Sequence, residues 1–550
     1  MPLEHNAISW PYTFNPSYSK AIAYFSMEFA IDPCLKIYSG GLGFLAGSHM
    51  RSVYELRQQV VGVGILWKYG YYDQDRDEQN RMEVRYREKD YSFLEDTGIR
   101  VKVSIAGSAV VVGAFLLPPK TFETAPIFLL STDIAENDHL SRTITQKLYF
   151  NNTETRLAQN MVLGIGGAKV LEAAGYQPQI YHMNEAHSLP LAFYLYEKLG
   201  NLDAVKGRLV FTTHTPEAAG NEISSMDNIL KMGYLSACTQ NQIHTVVYPE
   251  ETEFNHTLVA LRMSKACNAV SKLHAEVSTR MWEGYSNIPE IQAITNAQNK
   301  TYWADDILEE AQSKKNMSRI ASRKKELKEE LFKEVALQSG KIFDPNVLTL
   351  VWARRFAEYK RANLLTRDLE LFKAMLSHTK HPVHVIWAGK PYPLDLGAVK
   401  VFNELIEITK SLPNATVLTG YELKLSKLLK QGADLWLNTP RITREASGTS
   451  GMTAAMNGAI NVSIADGWIP EFAEDDHNCF LIPHLGHENP IEQQDQFEAE
   501  QLYKLLLEEI VPMYYQLPHE FEKVRYNSMH EIAPEFDSGR MAKDYYKLLY

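Results

Sequence analysis

Leu348-Thr-Leu-Val-Trp352, an apolar run, passes almost directly into Arg354-Arg-Phe-Ala-Glu-Tyr-Lys-Arg361. The run is too short for a helix and reads as a buried strand. It ends in four cations within eight residues. Arginine and lysine at a strand tip can clamp a phosphate from two directions. A solvated basic helix face would use the same residues. The chain is acidic overall, however, with a formal net charge of −11 at pH 7, which makes a merely decorative cluster the weaker reading.

Runs of the same kind recur outward from this point. Arg208 to Thr213, His384 to Ala388 and Ala415 to Leu418 each read as a buried strand followed by a longer amphipathic segment. Such alternation predicts an α/β protein with parallel sheets of Rossmann type. Asp305 to Leu337 is dense in Lys and Glu and free of Pro and Gly, so it reads as one or two helices with a charged outer face. Ser339-Gly340 and Pro345 then break the pattern. We therefore expect two Rossmann-like domains, residues 1–340 and 341–550. The helical stretch from Gln496 would either complete the second domain or cross back to the first. Two such domains facing each other would leave a cleft at the C-terminal ends of their strands.

The bulk properties exclude several classes. A chain of 550 residues with 45% hydrophobic and 22% charged residues has ample core and is not disordered. Its acidity makes nucleic acid a poor partner. Cys34, Cys238, Cys267 and Cys479 have neither metal-ligand nor redox spacing, and are expected to be small buried hydrophobes in a reducing compartment. Met1 to Trp10 has no apolar run, so no signal peptide is expected. The longest apolar stretch, Ala109 to Leu117, is too short to span a bilayer. No membrane partner, no metal and a cytoplasmic location are the expectations.

Three further segments could carry chemistry. Tyr38-Ser-Gly-Gly-Leu-Gly-Phe-Leu-Ala-Gly47 is a glycine-rich turn leading into a helix near Phe44, suited to close approach of an anion or simply a tight turn. Met183-Asn-Glu-Ala-His187 and Thr212-Thr-His-Thr-Pro216 follow apolar strands, so Asn184, His187 and His214 are placed to face a ligand; each histidine alone could equally be structural. Arg444-Glu-Ala-Ser-Gly-Thr-Ser-Gly-Met452 is a second glycine-rich turn with Glu445 at its start, able to cradle a phosphate and to bond sugar hydroxyls.

Together these segments resemble the α-glucan (glycogen, starch and maltodextrin) phosphorylase family, notably its shorter bacterial branch. The resemblance rests on Tyr24-Phe-Ser-Met-Glu-Phe29, Tyr38-Ser-Gly-Gly-Leu-Gly43, Val61-Gly-Val-Gly64, Leu163-Gly-Ile-Gly-Gly167, Asn184-Glu-Ala-His187, Phe211-Thr-Thr-His-Thr-Pro216, Arg355-Phe-Ala-Glu-Tyr-Lys360 and Glu445-Ala-Ser-Gly-Thr-Ser-Gly-Met452, in family order. It implies a glycosyltransferase fold of the B type, an N-terminal acceptor or sugar domain, a C-terminal donor or phosphate domain, and transfer of glucose with retention. It implies that Arg355 and Lys360 hold the reacting phosphate while Glu445, Ala446, Ser447 and Gly448 hold sugar hydroxyls. Gly40 and Gly41 would lie against the sugar or its phosphate, with Tyr359 and Thr449 beside the donor or cofactor. Family members often form dimers, so a homodimer is expected.

One position departs from the family. Its members bind pyridoxal phosphate through a lysine directly after Gly-x-Met, and here Thr453 follows Met452. An aldimine needs a primary amine, so no covalently bound cofactor is expected and pyridoxal phosphate itself is doubtful. The reading preferred from sequence is therefore a hexosyltransferase that moves glucose from a nucleotide sugar to an α-glucan or related oligosaccharide. The alternatives are phosphorolysis through orthophosphate and glucose 1-phosphate, and a catalytically silent glucan-binding protein.

Overall fold

The strand that opened the sequence reading, Leu348–Ala353, lies inside a six-stranded parallel sheet. From one edge to the other the order is Ala415–Leu418, Val383–Ala388, Leu348–Ala353, Leu435–Asn438, Ile460–Ser463 and Phe480–Leu481. In chain order this is 3-2-1-4-5-6, the doubly wound arrangement, with its reversal point between Leu348–Ala353 and Leu435–Asn438. The side chains of both strands are buried along their whole length, as a parallel sheet covered by helices on both faces requires.

The computed structural model describes residues 8–239, 242, 246–247 and 253–550 and divides into two compact units. The first comprises Met1–Tyr72, Tyr86–Thr295 and Ser538–Tyr550; the second comprises Asp73–Arg85 and Asn296–Asp537. The division at Thr295 differs from the boundary suggested near residue 340. Helix Met317–Ser339 belongs to the second unit because its buried Lys324 and Lys328 bond that unit's own strand ends and loops. Gly340 and Pro345 stop a helix rather than a domain. The ion pair between Lys328 and Asp434 is fully buried, and removing one partner alone costs on the order of 3–5 kcal/mol.

The first unit holds a nine-stranded sheet among the described residues. Its order is Ile291–Ala293, Ala266–Ala269, Leu209–Thr212, Ile180–Asn184, Ile22–Phe25, Val60–Ile65, Ile127–Ser131, Ser108–Leu117 and Glu95–Ile105. Parallel pairing runs from Ile291–Ala293 to Ile127–Ser131; the last two strands add antiparallel. The chain reverses its direction of growth between Ile22–Phe25 and Ile180–Asn184. The antiparallel edge departs from the all-parallel expectation. Exposed positions recur along Glu95–Ile105, as an edge strand open to water allows.

Two pieces of chain sit away from their sequence neighbours. The hairpin Asp73–Arg76 with Met82–Arg85 belongs to the second unit, where the Gln74 side chain donates to Gly389 O at 2.9 Å and accepts from Gly420 N at 3.0 Å. Ser538–Tyr550 belongs to the first unit. There Thr212 Oγ1 donates to Asn268 Oδ1, so His182 Nε2 donates to Thr212 and its Nδ1 accepts from Tyr550 OH at 2.7 Å. Cys238, Cys267 and Cys479 are buried, whereas Cys34 is exposed, in a turn where its N–H donates to Asp32. No helix among the described residues is long and apolar enough to cross a membrane.

The first unit carries several histidines held neutral. Burial lowers His49 and His214 to about 3 and His256 and His274 to about 4. An unfolded imidazole titrates near 6.5, so these groups stabilise the fold fully above that pH and progressively less below it. Glu185, raised to about 7, acts in the opposite sense but is outnumbered. The thermal midpoint is therefore expected to fall steadily as pH is lowered from neutrality toward the histidines' folded values. A midpoint that stays flat or rises in melting curves over this range would contradict it.

Candidate functional site

In doubly wound sheets ligands bind beyond the C-terminal ends of the strands at the reversal point. In the second unit those ends are Ala353 and Asn438, and the two loops that follow them carry the cationic run and the second glycine-rich turn. Lys360 Nζ lies 2.6 Å from Glu445 Oε2, and Arg354 Nη1 lies 3.5 Å from the same oxygen. Arg355 is exposed and adds attraction to Glu445 through space. Burial alone would push the Glu445 carboxyl up; Lys360 and Arg354 outweigh it and hold the group below the ordinary carboxylate range. Two buried cations, Lys360 and Arg354, thus face one carboxylate. Arg354 is buried, and its Nε and Nη2 have no hydrogen-bond partner among the described residues. A buried guanidinium with two idle donors is a site prepared for an oxyanion. Arg354 was quoted in the basic run but not singled out; its place at the strand end was the available signal.

The loop around Glu445 is held from below. Asp466 Oδ2 accepts from Arg444 N at 3.1 Å and Glu445 N at 2.9 Å, and its carboxyl is pushed up to about 7, chiefly by burial. Gly448 has φ +87°, a region in which an L side chain is strained. Ala446 and Ser447 are buried, and Ser447 Oγ has no partner among the described residues. Thr449 caps helix Ser450–Met456, whose start is tied to the neighbouring strand by Asn461 Nδ2 donating to Gly451 O at 3.1 Å. Tyr359 is carried by the short turn Glu358–Lys360, with its ring centroid 5.0 Å from Lys360 Nζ. Lys360, Glu445, Tyr359 and the 446–449 turn are brought together by this unit alone.

Thr453 faces the interior of the same helix. It is fully buried, and its Oγ1 donates to Ser450 O at 3.1 Å, inside its own helix. The position offers a satisfied hydroxyl where a cofactor aldehyde would need an amine. The residue present does not fit a covalent pyridoxal phosphate. No group of three or more His, Cys, Asp or Glu among the described residues could hold a metal ion.

In the first unit the loops after Ile22–Phe25 and Ile180–Asn184 occupy the corresponding reversal point. Glu28 accepts from Ser39 N at 2.6 Å, Gly40 N at 3.2 Å and Ser39 Oγ at 2.9 Å, and also from Tyr149 OH. This fixes the turn that starts helix Gly41–Glu55, three residues earlier than expected from Phe44. A Cβ on Gly47 would lie 2.0 Å from Ala30 O, so that glycine is required by packing. A Cβ on Gly40 or Gly41 would meet nothing within 4 Å among the described residues, so packing does not require either glycine.

Asn184 Oδ1 bonds His214 Nε2 at 2.7 Å, and Asn184 Nδ2 donates to Ser26 Oγ at 3.1 Å. His214 is thereby a positioned neutral imidazole. Between them Glu185 has φ +66° and is pushed up to about 7 by burial, with the His214 N–H opposing. A strained, half-buried carboxyl at a strand end is a functional candidate that sequence reading passed over. His187 lines a cavity of about 340 Å³ with Tyr149, Arg156, Gln159, Asn160 and Glu222. Its Nδ1 has no partner among the described residues, and burial holds it neutral.

The family model described as carbohydrate phosphorylase matches residues 218–547. The chain belongs to the carbohydrate phosphorylase family. Maltodextrin phosphorylase of Thermococcus litoralis is 31% identical over 98% of this chain and 72% of its own length. Glycogen phosphorylase of Aquifex aeolicus is 29% identical over 98% of this chain and 87% of its own. An uncharacterized protein of Methanocaldococcus jannaschii is 47% identical over 96% of this chain and 100% of its own. The mixed α/β architecture, with its two large and mostly parallel sheets, agrees with the B-type glycosyltransferase fold that the resemblance implied.

Gly448→Ala is expected to destabilise the chain by about 1–2 kcal/mol, since it forces a Cβ into the left-handed region. Asp466→Ala is expected to loosen the Glu445 loop and to expose Arg444 and Glu445 amides to hydrogen exchange. Unchanged exchange at those amides would remove Asp466 from this role.

Proposed function

We propose that the protein transfers a glucosyl unit between an α-glucan, or a related oligosaccharide, and orthophosphate, with retention of the α configuration. The observation that carries this is the charge imbalance at Glu445: two buried cations, Arg354 and Lys360, face one carboxylate, and two Arg354 donors have no partner among the described residues. That surplus suits a phosphate dianion, and the names of the maltodextrin and glycogen phosphorylases point the same way. In this reading Arg354, Arg355 and Lys360 hold the phosphate. Glu445 and the Ala446–Thr449 turn hold sugar hydroxyls, with Tyr359 beside the phosphate. Gly40 and Gly41 give the sugar close approach to backbone, and Asn184, His187 and His214 line the sugar-binding loops of the first unit.

The chemistry balances without an external acid. A phosphate oxygen bonds to C1 on the face from which the glycosidic oxygen leaves, and the proton of the phosphate passes to that oxygen. The products are glucose 1-phosphate and a glucan one unit shorter. The clamp's part is electrostatic, and preorganised charge is usually the largest single term in such catalysis.

The second reading, a nucleotide-sugar donor, is favoured by one observation, the hydroxyl at Thr453. The relatives' names give it no support. In both readings no cofactor is covalently attached at Thr453, so the purified protein is expected to lack an internal-aldimine absorbance band; such a band would contradict this. A cytoplasmic homodimer completes the proposal.

Purified protein is to be incubated with maltooligosaccharides and orthophosphate, and separately with a panel of nucleotide sugars. Release of glucose 1-phosphate in the first mixture is expected, with Arg354→Ala slowing it by at least about 10²-fold. Chain extension from a nucleotide sugar alone would replace this reading with the second. Tight oligosaccharide binding without turnover in any mixture would make the protein a silent glucan binder.

A further inference from the structure

The second unit has another cationic site, at the opposite ends of the same two strands. A cavity of about 330 Å³ is bounded by Lys324, Lys325, Lys328, Asp434, Tyr514 and Arg525. Asp434 immediately precedes strand Leu435–Asn438, and Asn346, also in the lining, precedes Leu348–Ala353. Strands of this length separate the cavity from the Glu445 cluster by about 20 Å. The two sites are therefore distinct.

Charge inside this cavity is out of balance. Lys324, Lys328 and Arg525 are all buried. Against them stand Asp434, which pairs with Lys328 and Arg525, and the part-exposed Glu522, which pairs with Arg525. Lys324 makes no ion pair among the described residues. Its Nζ donates to two backbone carbonyls, Gln431 O and Asn457 O. Arg525 Nε, also in the lining, has no partner among the described residues. Lys325 adds an exposed cation at the rim. Burial holds Lys324 well below the ordinary lysine range, and an anion bound in the cavity would favour its charged form.

We propose that this cavity binds a phosphate group, as free orthophosphate or as the phosphate of a small phosphorylated metabolite. Its volume admits orthophosphate with room for a hexose beside it. Binding would bear on helix Ser450–Met456, because Lys324 holds the carbonyl of Asn457 at that helix's C-terminal end. The same helix begins at the Gly448–Ser450 turn.

The test uses the full chain carrying Lys360→Met, which weakens the first anion site. Equilibrium dialysis with radiolabelled orthophosphate is expected to show one saturable site in this background. Adding Lys325→Glu, an exposed change that leaves the fold intact, is expected to weaken it about tenfold. Adding Lys324→Met is expected to abolish it. Glucose 6-phosphate competing more tightly than unlabelled orthophosphate identifies a sugar phosphate as the ligand; the reverse identifies the free anion. Absence of a saturable site in the Lys360→Met chain, or binding unaffected by Lys325→Glu, overturns the proposal.

Discussion

A carboxylate removed from water is ionised by its neighbours or not at all, and Glu445 is ionised by Lys360 and Arg354. The cluster then has more positive charge than the carboxylate can neutralise. That surplus links the fold to its chemistry. It exists because two loops from opposite sides of a sheet's reversal point converge, and they converge because the strands order as 3-2-1-4-5-6. The supporting details serve the same end. Asp466 holds the loop's amides, Gly448 makes its left-handed turn, and Asn461 anchors the helix that follows.

The strands of the second sheet were legible because parallel strands buried on both faces read as continuous apolar runs. Leu348–Ala353, Val383–Ala388 and Ala415–Leu418 lie where their side chains placed them. Lys360 and Glu445 were each singled out in sequence, but their pairing was not legible, since nothing in sequence spacing brings residues so far apart together. The domain boundary was misread because Gly340 and Pro345 are local signals. Whether helix Met317–Ser339 packs forward or backward depends on Lys324 and Lys328, whose partners lie about a hundred residues on. The hairpin Asp73–Arg85 escaped for the same reason, its anchors Gly389 and Gly420 being remote in the chain. Glu185 and Asp466 escaped because burial, which sets their acidity, is a property of the folded chain.

Thr453 illustrates how far a family resemblance carries. The helix around it, Ser450–Met456, is intact. The one side chain that would bear the cofactor ends instead in a hydroxyl satisfied within its own helix. Family membership therefore carries the scaffold, while this residue offers no amine for a covalent pyridoxal phosphate.

The claim on which the account turns is that the Arg354, Lys360 and Glu445 cluster is a phosphate site. A crystal structure of the protein grown with orthophosphate tests it most directly. The account predicts a phosphate bonded by Arg354 Nε and Nη2 and by Lys360 Nζ. An empty cluster, with Lys360 still paired to Glu445 and both Arg354 donors idle at saturating phosphate, would contradict it.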